Sequence, residues 1–291
     1  MIPAPFEYAV PKTLEEALQL VERHGDEAKL LAGGHSLLPL MKLRLAQPRY
    51  VIDIGRLRGM NYIREEGGQI VMGALTTHAE IESSSLLRAK CPLLSETAGE
   101  IGDVQVRNRG TLGGSLAHAD PAADYPASIL ALDAEMIAAS SAGERTIRAE
   151  DFFVDMLTTS LRPGEILSQV RVAPLPARTG TAYVKLPQPA SGFAIVGVGA
   201  RVTIGKEGKI EAAAVGITGL GPKAFRASAV EGALQGKKAS AQVFADAARH
   251  AAEGIDPLSD LHASAEYRRQ MAVVFTRRAL DQAARRAQGN A

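Results

Sequence analysis

Apolar residues at Leu14, Ala17, Leu18 and Val21 fall on one face of a 3.6-residue repeat, and this spacing predicts a helix over residues 13–24. Thr13 and Glu16 stand at capping-box spacing, and Gly25 supplies the stop. Lys29-Leu30-Leu31 reads as a short strand, residues 37–45 as a helix and residues 50–54 as the next strand. Ala32-Gly33-Gly34-His35-Ser36 therefore falls at a strand-to-helix turn, where a helix N-terminus can face an anion.

The pattern continues with a strand at residues 69–74, a capped helix at 76–83 and another helix at 93–101, while 103–109 has no clear period. A second glycine segment, Thr111-Leu112-Gly113-Gly114-Ser115, precedes an Ala-rich helix predicted at 121–132, with Pro121 near its first turn. Residues 135–139, Ile147 and 166–172 are β-like. Residues 174–180 are rich in Pro and Gly and mark a linker, so a domain boundary is expected there. Beyond it, 193–204 and 210–218 read as long paired strands joined by Gly205-Lys206-Glu207-Gly208. Helices are predicted at 227–234, 241–254 and from Ala263 toward Ala287. The fold class expected is α+β, with no repeat of fixed period.

The chain has 291 residues, enough for one large or two ordinary domains. Lys and Arg total 33 against 32 for Asp and Glu, so no global field favours nucleic acid or an anionic membrane. Any anion site must be local. No stretch approaches the roughly 20 apolar residues of a membrane span, and the start of the chain lacks a basic region followed by an apolar run, which predicts a cytoplasmic protein. Cys91 is the single cysteine, so this chain cannot supply an internal disulfide or a four-thiolate iron–sulfur site. The six histidines show no zinc-ligand spacing.

Each glycine pair alone is compatible with a turn or a close packing contact that binds nothing. Two of them, flanked by His35, Ser36, Thr111 and Ser115, suit a ligand with two phosphates, each segment turning successive N–H groups toward it. Neither matches the GxGxxG or GxxxxGK[ST] pattern, and Gly232 to Lys237 reads as a helix-ending turn. Asp120, before Pro121, suits a helix cap. Asp124 could serve the helix dipole or accept from a ribose or purine, and His118 is expected in a loop. Arg107 and Arg109 are open between solvation and pyrophosphate neutralisation, and Lys185 between an outward strand position and a ligand contact. Cys91 lacks a His partner, which argues against a nucleophile.

At both glycine segments the sequence resembles the FAD-binding medium subunit of the molybdenum hydroxylases, in particular the flavoprotein subunit of aerobic carbon monoxide dehydrogenases. The likeness is carried by Pro5-Phe6-Glu7-Tyr8, by Leu31 through Lys42, by Arg109 through Ser115, by Asp120-Pro121-Ala122-Ala123-Asp124, by Gly216 through Gly221 and by Ala265-Glu266-Tyr267-Arg268-Arg269. It runs over residues 1–286.

The resemblance implies a two-part FAD-binding domain of the vanillyl-alcohol oxidase type at 1–176, with subdomains at about 1–57 and 58–176, followed by a smaller α+β domain at 177–291. It further implies that Lys29, Leu30, Leu31, Ala32, Gly33, Gly34, His35 and Ser36 wrap the FAD pyrophosphate together with Thr111, Gly113, Gly114 and Ser115. By the same resemblance, Asp124 and Leu161 contact the adenine-bearing half, Lys185 reaches the flavin side and Phe193 lies near the isoalloxazine. Ser115 stands where the family commonly has Asn, with shorter reach. The implied role is electron transfer. A small subunit with [2Fe–2S] clusters and a large subunit with a molybdopterin cofactor are the implied partners, in a dimer of heterotrimers that can sit peripherally at the inner face of the membrane. Carbon monoxide is the favoured substrate of the complex, with an aldehyde or N-heterocycle as alternatives and a self-contained FAD oxidase or reductase, or a module binding a nucleotide structurally, as rivals.

Overall fold

The structure is a computed structural model, and it describes residues 2–289. The first unit is a small parallel sheet. Strand β1 (Glu7–Ala9) is followed by helix α1 (Leu14–His24), β2 (Ala28–Leu31), α2 (Leu37–Lys42) and β3 (Tyr50–Asp53), and β3 lies centrally, parallel to both neighbours. Thr13 Oγ1 accepts from Glu16 N, as the capping pattern predicts, but the Glu16 carboxylate accepts from Lys12 N rather than from Thr13. Helix α2 stops at Lys42, short of the predicted 45. Arg44 adopts φ 59°, and the amides of Leu45 and Ala46 both return to the carbonyl of Leu40, closing the last turn.

Strands β4 (Ile63–Glu66) and β5 (Gln69–Gly73) open a second sheet. Helices α3 (His78–Ser83), α4 (Ser85–Lys90), α5 (Pro92–Gly99), α6 (Val104–Arg107), α7 (Leu112–His118) and α8 (Tyr125–Ala131) follow. The chain then adds β6 (Glu135–Ser140), β7 (Gly143–Arg148), α9 (Ala149–Phe152), the small pair β8 (Phe153–Asp155) and β9 (Thr158–Thr159), and β10 (Ile166–Val172). The five-stranded sheet runs β4-β5-β10-β6-β7 and is antiparallel.

Two predictions here are corrected. The second glycine pair lies inside the first turn of α7, whose N-cap Thr111 accepts from Gly114 N at 3.1 Å. The helix predicted at 121–132 begins only at Tyr125, because the carbonyls of Pro121 and Ala123 both accept from Thr218 Oγ1. Asp120 accordingly caps no helix and accepts from Ala122 N at 2.9 Å in the preceding turn.

The last unit is the antiparallel sheet β11 (Thr179–Pro187), β12 (Ala194–Ile204), β13 (Ile210–Thr218) and β14 (Phe225–Arg226), with α10 (Ser228–Leu234), α11 (Ala241–Ala248) and α12 (Ala265–Ala287). Helix α11 is shorter than predicted, ending in turns that lead to Gly254 at φ 74°. One core fills the first two sheets and a second lies under this one. The two meet where α8 packs on β12 and β13. An ideal Cβ on Gly216 falls 2.0 Å from the Ala127 carbonyl oxygen, so the helix backbone rests directly on the strand.

Candidate functional site: a cavity between two glycine segments

A cavity of about 620 Å³ lies between the small parallel sheet, α7 and the segment before β12. This is within the range of small-molecule sites. From the first glycine segment Lys29, Leu30, Ala32, Gly33, Gly34, His35 and Ser36 line it; from the second, Thr111, Gly113, Gly114 and Ser115 do. Asp124 and Phe193 line it as well.

The two segments touch. An ideal Cβ on Gly33 falls 2.2 Å from the Arg109 carbonyl oxygen and 2.8 Å from Gly110 Cα, so only glycine fits. Gly34 has φ 80°, which glycine adopts without strain. Among the described residues the amides of Gly33, Gly34, His35 and Ser36 donate to nothing; the first after them with a backbone acceptor is that of Leu38, donating to Gly34 O. Four unsatisfied N–H groups beside a cavity form a concavity suited to an anion.

The second segment differs from expectation. Four of its five amides are already satisfied: Leu112 donates to Thr76 O, Gly113 to Ala74 O, Gly114 to Thr111 Oγ1 and Ser115 to Thr111 O, while the Thr111 amide has no acceptor among the described residues. Thr111 to Ser115 therefore bring a bare surface at Gly114 and the Ser115 hydroxyl, not a row of donors. Gly113 must be glycine, since its Cβ would meet Ala74 Cβ at 2.5 Å.

Asp124 and Lys185 are expected at opposite halves of a dinucleotide, yet their side chains pair at 2.9 Å. Tyr183 also donates to the same Asp124 oxygen at 2.6 Å. The Lys185 ammonium, 3% exposed, further donates to the carbonyls of Glu100 and Gly192 and does not line the cavity. It thereby ties the α5 end to the Gly192-Phe193 turn. Burial pushes the Asp124 carboxyl up to about 6, against the opposing pull of Lys185 and Tyr183.

Leu31 turns its side chain toward Gly34, and Leu161 packs into the first core; beside Leu161, Arg162 and Pro163 reach the cavity instead. Arg107 pairs with Glu82 at 2.8 Å and donates to the carbonyls of Ile101 and Gly102, while Arg109 contributes its carbonyl to the Gly33 contact. Cys91 is fully buried and its thiol is pushed up to about 12 by burial, so it is no nucleophile. His118, read from sequence as a loop residue, ends α7 and lines the cavity. So does His78, which sequence reasoning missed; its only signal was its place just after the cap Thr77.

A glycine cradle that a Cβ would fill, free amides beside it and a cavity of about 620 Å³ fit an FAD-type dinucleotide, and the fold is that of an FAD-binding subunit. The family described as "FAD binding domain in molybdopterin dehydrogenase" matches residues 4–176, and that described as "CO dehydrogenase flavoprotein C-terminal domain" matches residues 181–283. The chain is 40% identical to the 6-hydroxypseudooxynicotine dehydrogenase complex subunit alpha of Paenarthrobacter nicotinovorans, covering 99% of this chain and 97% of that protein. It is also 40% identical to the carbon monoxide dehydrogenase medium chain of Hydrogenophaga pseudoflava, covering 97% and 98%. The solved carbon monoxide dehydrogenase of Hydrogenophaga pseudoflava superposes with a TM-score of 0.94 at 42% identity, covering 97% of this chain and 98% of that one. Quinoline 2-oxidoreductase from Pseudomonas putida 86 superposes at 0.91 with 34% identity, covering 100% and 99%. The chain belongs to the FAD-binding medium subunits of the molybdenum hydroxylases, and it is an oxidoreductase subunit whose cofactor is FAD. Iron–sulfur and molybdenum cofactors belong to other subunits of such multi-subunit complexes.

Proposed function

We propose that this chain is the electron-transfer subunit of a heterotrimeric molybdenum hydroxylase, passing electrons from [2Fe–2S] clusters of a small partner to an external acceptor, with substrate chosen by a large molybdenum subunit. The observation that carries this reading is the Gly33 segment, with four undonated amides beside a cavity large enough for a dinucleotide. When bound, FAD supplies the exchange of one and two electrons; the protein binds, orients and shields. In this reading the Gly33-to-Ser36 amides and Ser115 hold the diphosphate. Gly114 allows close approach, and Asp124 and Phe193 border one end of the cofactor. Lys185, Leu31 and Leu161 act from behind, Lys185 by fixing Asp124 and the turn that carries Phe193.

No base or nucleophile near the cavity is required. The domain division follows at 1–176, with parts at about 1–57 and 58–176, and at 177–291; Met1, Asn290 and Ala291 lie outside the described residues. No helix among the described residues is long and apolar enough to cross a membrane, and we place the complex in the cytoplasm, assembled as a dimer of heterotrimers. For substrate, carbon monoxide is the first reading. An N-heterocyclic or related substrate is the second, favoured by the equal 40% identity to the 6-hydroxypseudooxynicotine dehydrogenase subunit.

The test is expression with the neighbouring subunit genes. Flavin absorption bands in the purified chain, co-purification of an iron–sulfur and a molybdenum subunit, and flavin reduction only through those partners are expected. A chain that shows no flavin even after FAD addition, or a flavin reduced directly by small substrates with no partner present, defeats the proposal. Assay of the assembled complex with carbon monoxide and with N-heterocycles separates the two substrate readings.

A further inference from the structure

We infer that His78 is a cofactor-contacting residue of this chain, its imidazole hydrogen-bonding the oxygen-rich diphosphate–ribitol stretch of the bound dinucleotide where the two glycine segments touch. The inference rests on the FAD reading above and adds a residue to it.

His78 is 4% exposed and lines the cavity. Among the described residues its Nδ1 is buried without a hydrogen-bond partner. Buried imidazole nitrogens are ordinarily satisfied, so an orphan in a ring that lines a cavity marks a partner that the protein does not itself supply. The surrounding contacts explain why the ring is there but not what it bonds. Helix α3 is capped by Thr77 and Glu80, each accepting from the other's backbone, so the His78 side chain has no capping duty. The nearest ring, Tyr125, lies 5.3 Å away at 57°, and its own hydroxyl is also unpartnered.

Backbone pairing fixes the ring against the second segment. His78 N donates to Gly110 O at 3.0 Å, and Leu112 N donates to Thr76 O at 2.9 Å. An ideal Cβ on Gly110 falls 2.5 Å from His78 Nε2, so a side chain there displaces the imidazole. The other face of Gly110 meets Gly33, whose neighbours carry the free amides. His78, Gly110 and Gly33 thus form one layered contact at the junction of the segments. Burial, then the charges of His35 and Arg107, lower the His78 pKa to about 4, so the ring stays neutral near pH 7 and offers one donor and one acceptor. That pairing suits ribitol hydroxyls and phosphate oxygens alike, and it places no further cation in the cavity.

The test uses the full chain, labelled with 15N in its six histidines, with FAD as the added probe. His78 is assigned as the imidazole signal lost in His78→Gln. On FAD loading, followed in parallel by flavin absorbance, the His78 nitrogens are expected to shift. His78→Phe, which keeps the ring volume without nitrogen, is expected to bind FAD at least tenfold more weakly, while its melting temperature without FAD shows it folded. Should wild type bind FAD with the His78 nitrogens unmoved, or His78→Phe bind as wild type does, the inference is overturned while the FAD reading stands. Should wild type take up no FAD, both fall.

Discussion

Gly33 lies against the backbone of Arg109, with room for a hydrogen but none for a methyl group: a Cβ there would sit 2.2 Å from the Arg109 carbonyl oxygen. The two glycine segments, distant in sequence, are therefore one packed unit. Their roles nevertheless differ. The first leaves four amides free, and the second uses those of Leu112 to Ser115 on Ala74, Thr76 and Thr111. The first segment offers free donors suited to an anion, and the second sets the floor against which the first is shaped.

Gly33→Ala is expected to force the segments apart and to lower flavin content by at least tenfold. Gly34→Ala is the matched comparison. There the obstacle is φ 80°, with a Cβ near the flexible end of Leu38, and the cost expected is about 1 kcal/mol of stability with most flavin retained. Flavin-to-protein absorbance ratios and melting curves of both variants check this; equal flavin loss in the two counts against the contact.

Asp124→Asn is expected to destabilise the chain by roughly 3–5 kcal/mol, because it leaves the buried Lys185 ammonium without a counter-charge, facing only neutral acceptors such as the carbonyls of Glu100 and Gly192. Adding Lys185→Met removes the stranded charge, so the double variant should recover most of that loss. Urea unfolding midpoints of the three proteins measure it. A single variant as stable as wild type shows that the pair carries no such coupling.

Much of this was legible in the sequence because the signals were local. Thr13, Glu16 and Gly25 delimit α1, and Gly205 to Gly208 mark the turn between β12 and β13. The first glycine segment falls at its predicted strand-to-helix turn. What was not legible depends on distant partners. The start of α8 is delayed by Thr218, nearly a hundred residues away, and two of the second segment's amides, those of Leu112 and Gly113, are taken by carbonyls at positions 76 and 74. Asp124 and Lys185 each read as polar positions with open roles, and only the packing of β11 against the α8 start makes them a pair. His78 carried no periodic or motif signal, since a single histidine at a helix start has many uses.

Below pH 6.5, His78 should make the folded chain less stable. Its folded pKa is depressed to about 4, so between these values the unfolded chain binds more protons and stability rises with pH. From pH 5 to pH 7 the gain amounts to about 2 kcal/mol. Asp124, whose folded pKa is raised, has the opposite slope over the acid part of this window, so the quantity to measure is the difference between wild type and His78→Phe. Chemical unfolding of the FAD-free chain at pH 5 and pH 7 should show that difference changing by about this amount. A pH-independent difference means that the imidazole is not held neutral.

Gly216→Ala tests the seating of the last sheet on the cavity. The new Cβ would fall 2.0 Å from the Ala127 carbonyl oxygen, a backbone atom of α8 that cannot swing aside. Relief requires α8 to lift from β13, and Asp124, the residue just before α8, has its partners Tyr183 and Lys185 on β11. The same movement strains the bonds from Thr218 to Pro121 and Ala123, and that from Ala194 N to Ala122 O next to Phe193. A loss of roughly 1–3 kcal/mol is expected, in line with other overpacked sites, with flavin content falling alongside. Gly208→Ala, in the turn of the same sheet at φ 74° with open space around its Cβ, should cost about 1 kcal/mol and leave flavin unchanged. Loss of flavin in Gly208→Ala, or full retention in Gly216→Ala, would show that the α8 contact does not govern the site.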